Sequence, residues 1–311
     1  MSTEKTTSPD DHVAARSAGL AARTDAPGQV PDLSVIVPTR NEVGNIRPLL
    51  AQLGEALSGI AAEVLVVDDS DDATSEIARS IATRSALSIR VHARPPGRRP
   101  GGLGGAVLVG LAEARGPFCA VMDADLQHPP ELLRTLLLVA GSGADFVIAS
   151  RYVDGGADEG LAGWHRQAAS TLATWVAKGL LRPELAGISD PMSGFFLVRR
   201  SCLDLTVLHP QGFKLLLELL VHNPRASVTE VPYTFGIRQA GASKASFSEG
   251  LTYLSRLAEL RVQARRTPPR PRRQFVSLPT ALTASARDNG SVRRPADGTV
   301  LESTATRLTG S

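Results

Sequence analysis

From residue 32 to residue 266, short apolar runs alternate with longer amphipathic stretches. The runs read as strands and the stretches as helices with one apolar face. Strands are predicted at 33–37, 63–67, 87–91, 118–122 and 145–149, and helices at about 42–57, 71–83, 103–114 and 130–139. Several of the strands are apolar almost throughout, as strands covered on both faces must be. Strand and helix in alternation imply an α/β fold with a mostly parallel central sheet flanked by helices. Pro129-Pro130 stands where the fourth helix opens, a common place for proline. Ligands of open parallel sheets bind outside the carboxyl ends of the strands, so the residues following each strand are the ones to inspect.

The flanks differ in character. Residues 1–31 are rich in Ser, Thr, Ala and Asp, and residues 267–311 in Arg, Pro, Ser and Thr, without periodicity in either. Both read as disordered tails around one folded unit, 32–266. The net charge of +3 resides in the second tail, where seven arginines in 268–311 face only Asp288, Asp297 and Glu302. A neutral body with a basic tail argues against a nucleic-acid partner, which would require a basic face on the fold itself. No stretch approaches the roughly 20 apolar residues of a membrane-spanning helix, and the first 20 residues lack a signal-peptide core. Cys119 and Cys202 have neither metal-ligand spacing nor a disulfide framework. A cytoplasmic protein, soluble or peripheral to a membrane, is expected.

Three predicted strands run straight into polar sequence: Pro38-Thr39-Arg40-Asn41-Glu42, Asp68-Asp69-Ser70-Asp71-Asp72 and Asp123-Ala124-Asp125-Leu126-Gln127. Acidic groups gathered along one sheet edge repel one another unless a cation or hydrogen-bond donors offset them. If the third segment is extended, Asp123, Asp125 and Gln127 point to one side. Two carboxylates and an amide oxygen make a hard donor set suited to Mg²⁺ or Mn²⁺. Such an ion would bridge the phosphates of a nucleotide-sugar and stabilise the leaving diphosphate. A lone DxD can equally be a solvated turn that caps the next helix, but here it follows an apolar strand and accompanies two other acidic strand ends.

Asp68 and Asp69 are placed to accept hydrogen bonds from a base edge or ribose, while Asp71 or Asp72 caps the following helix. The run Gly101-Gly102-Leu103-Gly104-Gly105 opens a helix after Arg94, Arg98 and Arg99. It meets phosphate there, or serves close helix packing. It is neither a GxGxxG nor a GxxxxGK[ST] motif, which disfavours dinucleotide and P-loop enzymes.

Together these segments resemble the family-2 glycosyltransferases of GT-A fold, and within them the dolichyl- or polyprenyl-phosphate mannose synthases. The resemblance covers residues 32–266. It rests on VPTRNE (37–42), VVDDSDDAT (66–74), MDADLQHPPE (122–131), ASRY (149–152), DPMSGFFLV (190–198), GFKLLLELL (212–220) and RQAGASK (238–244). It implies a single GT-A domain in which Pro38, Arg40, Glu42, Asp68, Asp69, Asp123 and Asp125 bind the donor nucleotide. It also implies that Asp123, Asp125 and Gln127 hold the metal. Arg151, Arg166 and Ser170 match positions for the lipid phosphate, Arg238 and Lys244 match basic residues that grip phosphates as the site closes, and Asp190 with Ser193 falls in the sugar-pocket segment. The implied catalytic set is Asp125, Arg151 and Arg166.

The implied reaction is inverting transfer of mannose from GDP-mannose to a polyprenyl phosphate. A lipid monophosphate is already anionic near neutral pH, so it needs cations to approach the donor more than it needs a general base. Alternatives are a UDP-sugar donor (glucose or N-acetylglucosamine) or a catalytically silent scaffold subunit. Membrane access is expected through Leu251, Leu254, Leu257 and Leu260 with Arg261, Arg265 and Arg266 beside them, or through a separate membrane-anchoring protein; packing on the core is the other reading of those leucines.

Overall fold

A computed structural model of the chain describes residues 30–158, 176–208, 215–236, 255, 257–262, 264 and 274–275. Seven strands form the central sheet: β1 (Leu33–Thr39), β2 (Ala62–Asp68), β3 (Ser88–Ala93), β4 (Phe118–Val121), β5 (Phe146–Ser150), β7 (Phe196–Arg199) and β8 (Val228–Pro232). Their order is β3-β2-β1-β4-β7-β5-β8, all parallel except β7, which runs antiparallel to β4 and β5. Short strands β6 (Ala157–Asp158) and β9 (Thr234–Phe235) pair separately. The α-helices described from end to end are α1 (Ile46–Ala56), α2 (Thr74–Ala82), α3 (Gly102–Glu113), α4 (Leu132–Gly141) and α5 (Leu215–His222), and residues 176–180 and 257–262 are also helical.

The five predicted strands and four predicted helices are present, with shifted ends. The strands β6, β7, β8 and β9 and helix α5 are additions. Along β1, Val35 and Val37 face a core layer shared with α1, α2 and α4, whereas Ile36 faces a second layer shared with α3 and α5. This two-sided burial explains the unbroken apolar runs. Helix α3 presses close on β1 because Gly110 has no side chain; a Cβ there would stand 2.4 Å from Ile36 Cγ2.

Two expectations about the chain's end change. Leu257 and Leu260 are fully buried in the second layer, so they stabilise the core and are not an apolar face for a bilayer. Leu251, Leu254, Arg265 and Arg266 lie outside the described residues. Gln274 and Phe275, placed in a disordered tail by composition, dock on the sheet. Val228 N–H donates to the Gln274 carbonyl at 3.0 Å, Phe275 bridges to Val228, and its ring lies where a side chain on Gly187 would be. Among the described residues no helix is long and apolar enough to cross a membrane. Both cysteines are free thiols, and burial pushes the Cys119 thiol up to about 12.

Opposite the carboxyl edge, one buried carboxylate ties the starts of several strands together. Glu63 in β2 accepts from Ser34 Oγ of β1 (2.7 Å), from the Arg115 backbone N–H (2.8 Å) and from Arg115 Nε (2.8 Å), with Arg90 of β3 at 3.3 Å. Burial alone would raise its pKa, but the Arg115 and Ser34 hydrogen bonds outweigh burial and hold it below the ordinary glutamate value. A depressed carboxylate stabilises the fold above its unfolded pKa, and that contribution is lost as pH falls through the folded pKa. Glu63→Gln is therefore expected to lower stability by about 2 kcal/mol at neutral pH. The gap between variant and parent should shrink in urea melts taken below pH 4.5; a gap independent of pH would rule out this role.

Candidate active site

The sheet order reverses between β1 and β4, so the loops after these two strands diverge and leave a crevice at the carboxyl edge. The first wall is made by the loops after β1 and β2, locked to each other. Asp68, at the end of β2, accepts from Thr39 Oγ1 (2.6 Å) and Ser70 Oγ (2.5 Å). Asn41 adopts a left-handed backbone (φ 54°), which asparagine tolerates. Its N–H donates to Ser70 Oγ at 2.7 Å, and its side-chain oxygen accepts from Asp71 N–H at 2.9 Å. Glu42 N–H donates to Thr74 Oγ1 at 3.0 Å, and Glu42 Oε2 accepts from Asn45 at 2.7 Å. These bonds hold residues 41–45 in a turn, so α1 begins at Ile46 and not at Glu42. Asp72, one residue before the N-cap position Ala73, accepts from the first N–H of the next helix, that of Thr74, at 3.0 Å. Pro38 is enclosed within β1, and Arg40 is exposed at its end.

Asp69 behaves differently from its expected place among the nucleotide ligands. Its two oxygens receive Arg94 Nε (2.7 Å) and Nη2 (2.5 Å) in a pair with both side chains almost fully buried. Arg94 also donates to the carbonyls of Pro100 and Gly102, and Arg99 donates to Asp71, the Ser70 carbonyl and the Arg94 carbonyl. The phosphate role for Arg94 and Arg99 is thus corrected: their guanidinium groups staple the 95–102 loop to β2. A side chain on Gly105 would meet the Pro100 carbonyl and the Arg94 guanidinium, so this glycine serves packing. Arg98 remains exposed on the loop.

The acidic segment after β4 is a bend, which corrects the extended chain assumed from its spacing. β4 ends at Val121, and Leu126 has φ 63°, a strained value for a leucine that needs support from its surroundings. That support comes from two bonds with Gly236: its N–H donates to the Gln127 carbonyl at 2.9 Å, and Gln127 Nε2 donates to its carbonyl at 2.8 Å. Gln127 N–H also donates to Asp125 Oδ1 at 3.2 Å. His128 Nε2 lies 3.3 Å from Asp123 Oδ2, and the imidazole sits among the rings of Phe195, Tyr233 and Phe235. Gly194 makes room for this carboxylate, since a Cβ there would stand 2.8 Å from Asp123 Oδ2.

Among the described residues no three His, Cys, Asp or Glu side chains cluster as a complete metal cage. Two carboxylates and an amide suit a hard cation that takes its remaining ligands from substrate phosphates and water, as Mg²⁺ sites commonly do. The donor set therefore fits the expected ion.

The opposite wall is built around Arg151, just past β5. Its Nε and Nη2 donate to Asp190 Oδ2 (2.8 Å) and Oδ1 (3.1 Å), a bidentate pair in which Asp190 is fully buried. Burial would lower the guanidinium's pKa, but the hydrogen bonds and charge of Asp190 outweigh it and keep Arg151 protonated. The group also lies 5.1 Å from the Tyr152 ring centre and 5.5 Å from that of Phe235. Phe235 in turn touches His128, so the acidic bend and Arg151 share one aromatic wall.

Asp190 and Ser193, expected in the sugar pocket, are turned inward. Asp190 holds Arg151, and Ser193 Oγ donates to the carbonyls of Ala149 and Phe195 while accepting from Phe195 N–H. Arg166, Ser170, Arg238 and Lys244 lie outside the described residues. The sequence reading did not single out His128 or Glu230, which accepts three hydrogen bonds from Ser189 and Asp190. A lone charge between two valines in the strand sequence VTEVP was the available signal for Glu230.

The model of the family "Glycosyl transferase family 2" matches residues 34–205, more than half of the chain. The chain is similar to the dolichol-phosphate mannosyltransferase of Pyrococcus furiosus, with 39% identity over 229 residues that span 73% of this chain and 63% of that protein. It is also similar to the dolichol-phosphate mannosyltransferase of Saccharomyces cerevisiae, at 38% identity over 74% of this chain and 87% of that protein. A solved structure of glucosyl-3-phosphoglycerate synthase from Mycobacterium tuberculosis with Mn²⁺, uridine diphosphate and phosphoglyceric acid aligns with a TM-score of 0.57. The identity is 22%, and 86% of each chain is covered. That likeness shows the shared GT-A fold. On the strength of the family model and these sequence relatives, the chain belongs to the family 2 glycosyltransferases.

Proposed function

We propose that the protein transfers mannose, with inversion, from GDP-mannose to a polyprenyl phosphate, working as a peripheral enzyme at the cytoplasmic face of a membrane. The observation that carries this reading is the shared wall: the acidic bend with Asp123 and Asp125 meets His128, His128 meets Phe235, and Phe235 meets the protonated Arg151. A site with carboxylates on one side and a buried-edge guanidinium on the other suits two phosphate-bearing reactants, one delivered with a cation and one without. The names of the relatives in Pyrococcus furiosus and Saccharomyces cerevisiae support mannose and a dolichyl-type phosphate.

In this reading Pro38, Arg40, Glu42 and Asp68 line the nucleotide. Asp68 is preset by Thr39 and Ser70, and Asp69 contributes indirectly by fixing Arg94 and the glycine-rich loop. Asp123, Asp125 and Gln127 would hold Mg²⁺ or Mn²⁺, which supplies charge stabilisation for the departing diphosphate; Mn²⁺ in the structure of the Mycobacterium tuberculosis protein supports a divalent ion. Arg151, joined by Arg166 and Ser170, takes the lipid phosphate, and Arg238 and Lys244 add positive charge. Two unit negative charges about 4 Å apart repel by about 4 kcal/mol at an effective dielectric near 20. A guanidinium at similar distance offsets this. With the repulsion offset, the phosphate oxygen reaches the anomeric carbon in line with the leaving group and needs no added base. A membrane-anchoring partner protein supplies access to the lipid.

Two experiments test the reading. Purified protein with a short polyprenyl phosphate should move label to lipid from GDP-mannose and not from UDP-glucose or UDP-N-acetylglucosamine; label entering lipid only from a UDP donor would overturn the mannose assignment. Chelation should abolish transfer and added Mg²⁺ or Mn²⁺ restore it, while Asp125→Ala should cut the rate by about a hundredfold or more. An undiminished rate in that variant, with chelator harmless, would remove the metal from the mechanism.

A further inference from the structure

Glu230 lies in β8, in register with Ile148 of β5, two residues before the strand ends beside Ser150. Its carboxylate meets three donors from one short segment: Ser189 N–H on Oε2 (2.8 Å), and Ser189 Oγ (2.8 Å) with Asp190 N–H (3.0 Å) on Oε1. Ser189 Oγ also shares a hydrogen bond with Ser150 Oγ at 2.6 Å. Consecutive backbone N–H groups converging on one acceptor leave the 189–190 peptide little freedom. The next side chain along that backbone is Asp190, which receives Arg151 along its Nε–Nη2 edge.

We infer that Glu230 is a positioning residue for Arg151: it fixes the backbone of Ser189 and Asp190, and through the Asp190 carboxylate sets the orientation of the guanidinium toward the acceptor phosphate. The inference rests on the reading of Arg151 as a phosphate ligand given above. The chemistry requires a carboxylate at 230. All three partners are donors, and an ionised carboxylate is acceptor-only on both oxygens. An amide in its place turns an NH₂ toward at least one N–H, leaving two donors face to face. Truncation would leave two backbone N–H groups without an acceptor. Either change loosens the Asp190 main chain and lets the guanidinium rotate, with no alteration to the acidic bend at Asp123–Gln127.

The test compares Glu230→Gln, Ser189→Ala and Arg151→Ala in the full-length protein, measuring KM for GDP-mannose and for a short polyprenyl phosphate alongside kcat and thermal unfolding. Glu230→Gln should raise the acceptor KM about tenfold while the donor KM stays within about twofold; Ser189→Ala should shift the acceptor KM the same way by about threefold. A general structural role would move both KM values together, so an equal shift overturns the inference, as does a folded Glu230→Gln protein with parental acceptor KM. Should Glu230→Gln fail to fold, Ser189→Ala decides by the same criterion. Arg151→Ala separates the two layers of the argument. If it raises the acceptor KM and the Glu230 and Ser189 variants do not, the positioning role falls and the acceptor reading stands; if it leaves the acceptor KM unchanged, both fall.

Discussion

A parallel sheet delivers the carboxyl ends of its strands to one edge, and here those ends carry a concentration of carboxylates that must be balanced. The protein holds Asp68 with the Thr39 and Ser70 hydroxyls, and balances two other carboxylates of this edge by buried, bidentate pairing with arginine. Asp69 is joined to Arg94 and Asp190 to Arg151, each by two hydrogen bonds from one guanidinium. Breaking such a buried pair by removing one partner costs about 3–5 kcal/mol, because the survivor is left as an isolated charge. The pairs therefore set the shape of the crevice walls. One fastens the glycine-rich loop against β2, and the other fastens Arg151 over the aromatic wall.

The segment from Ser189 to Phe195 is the physical link between the two halves of the site. At one end Asp190 holds Arg151, while in the middle Ser193 ties the segment to the end of β5. Toward the other end Gly194 leaves the space that Asp123 occupies. It then continues into β7, the one inverted strand of the sheet. An antiparallel strand enters the carboxyl edge at its own amino end, so the residues before β7 fall beside the residues after β4 and β5. Inversion of one strand is what brings a downstream loop to this edge.

β1, β2, β4 and β5 were legible because both sheet faces are covered there, a condition that keeps most polar residues out of the strand interior, whereas β3, at the sheet edge, is only partly buried and carries Arg90 and His92. β7 and β8 are largely buried but short, and β8 is interrupted by Glu230, so neither stood out as a run. The start of α1 was misplaced for a related reason. Asn41 and Glu42 belong to a turn closed by Ser70, Asp71 and Thr74, roughly 30 positions downstream, and local periodicity carries no trace of such partners. The bend after β4 is another case: its left-handed Leu126 is sustained by Gly236, more than a hundred residues away.

The kinds of residue at the carboxyl edge, and the motifs that mark a family 2 glycosyltransferase, were present in the chain before any folding was considered. Composition and spacing suffice there, because strand periodicity and hard-oxygen ligand chemistry are local properties. Which of the acidic and basic groups face the crevice was settled by contacts between distant segments. Asp69, Asp190, Arg94 and Arg99 look like ligands in the sequence and are fasteners in the fold. Charge can be read from a sequence; the partner that neutralises it depends on which strand ends the sheet makes neighbours.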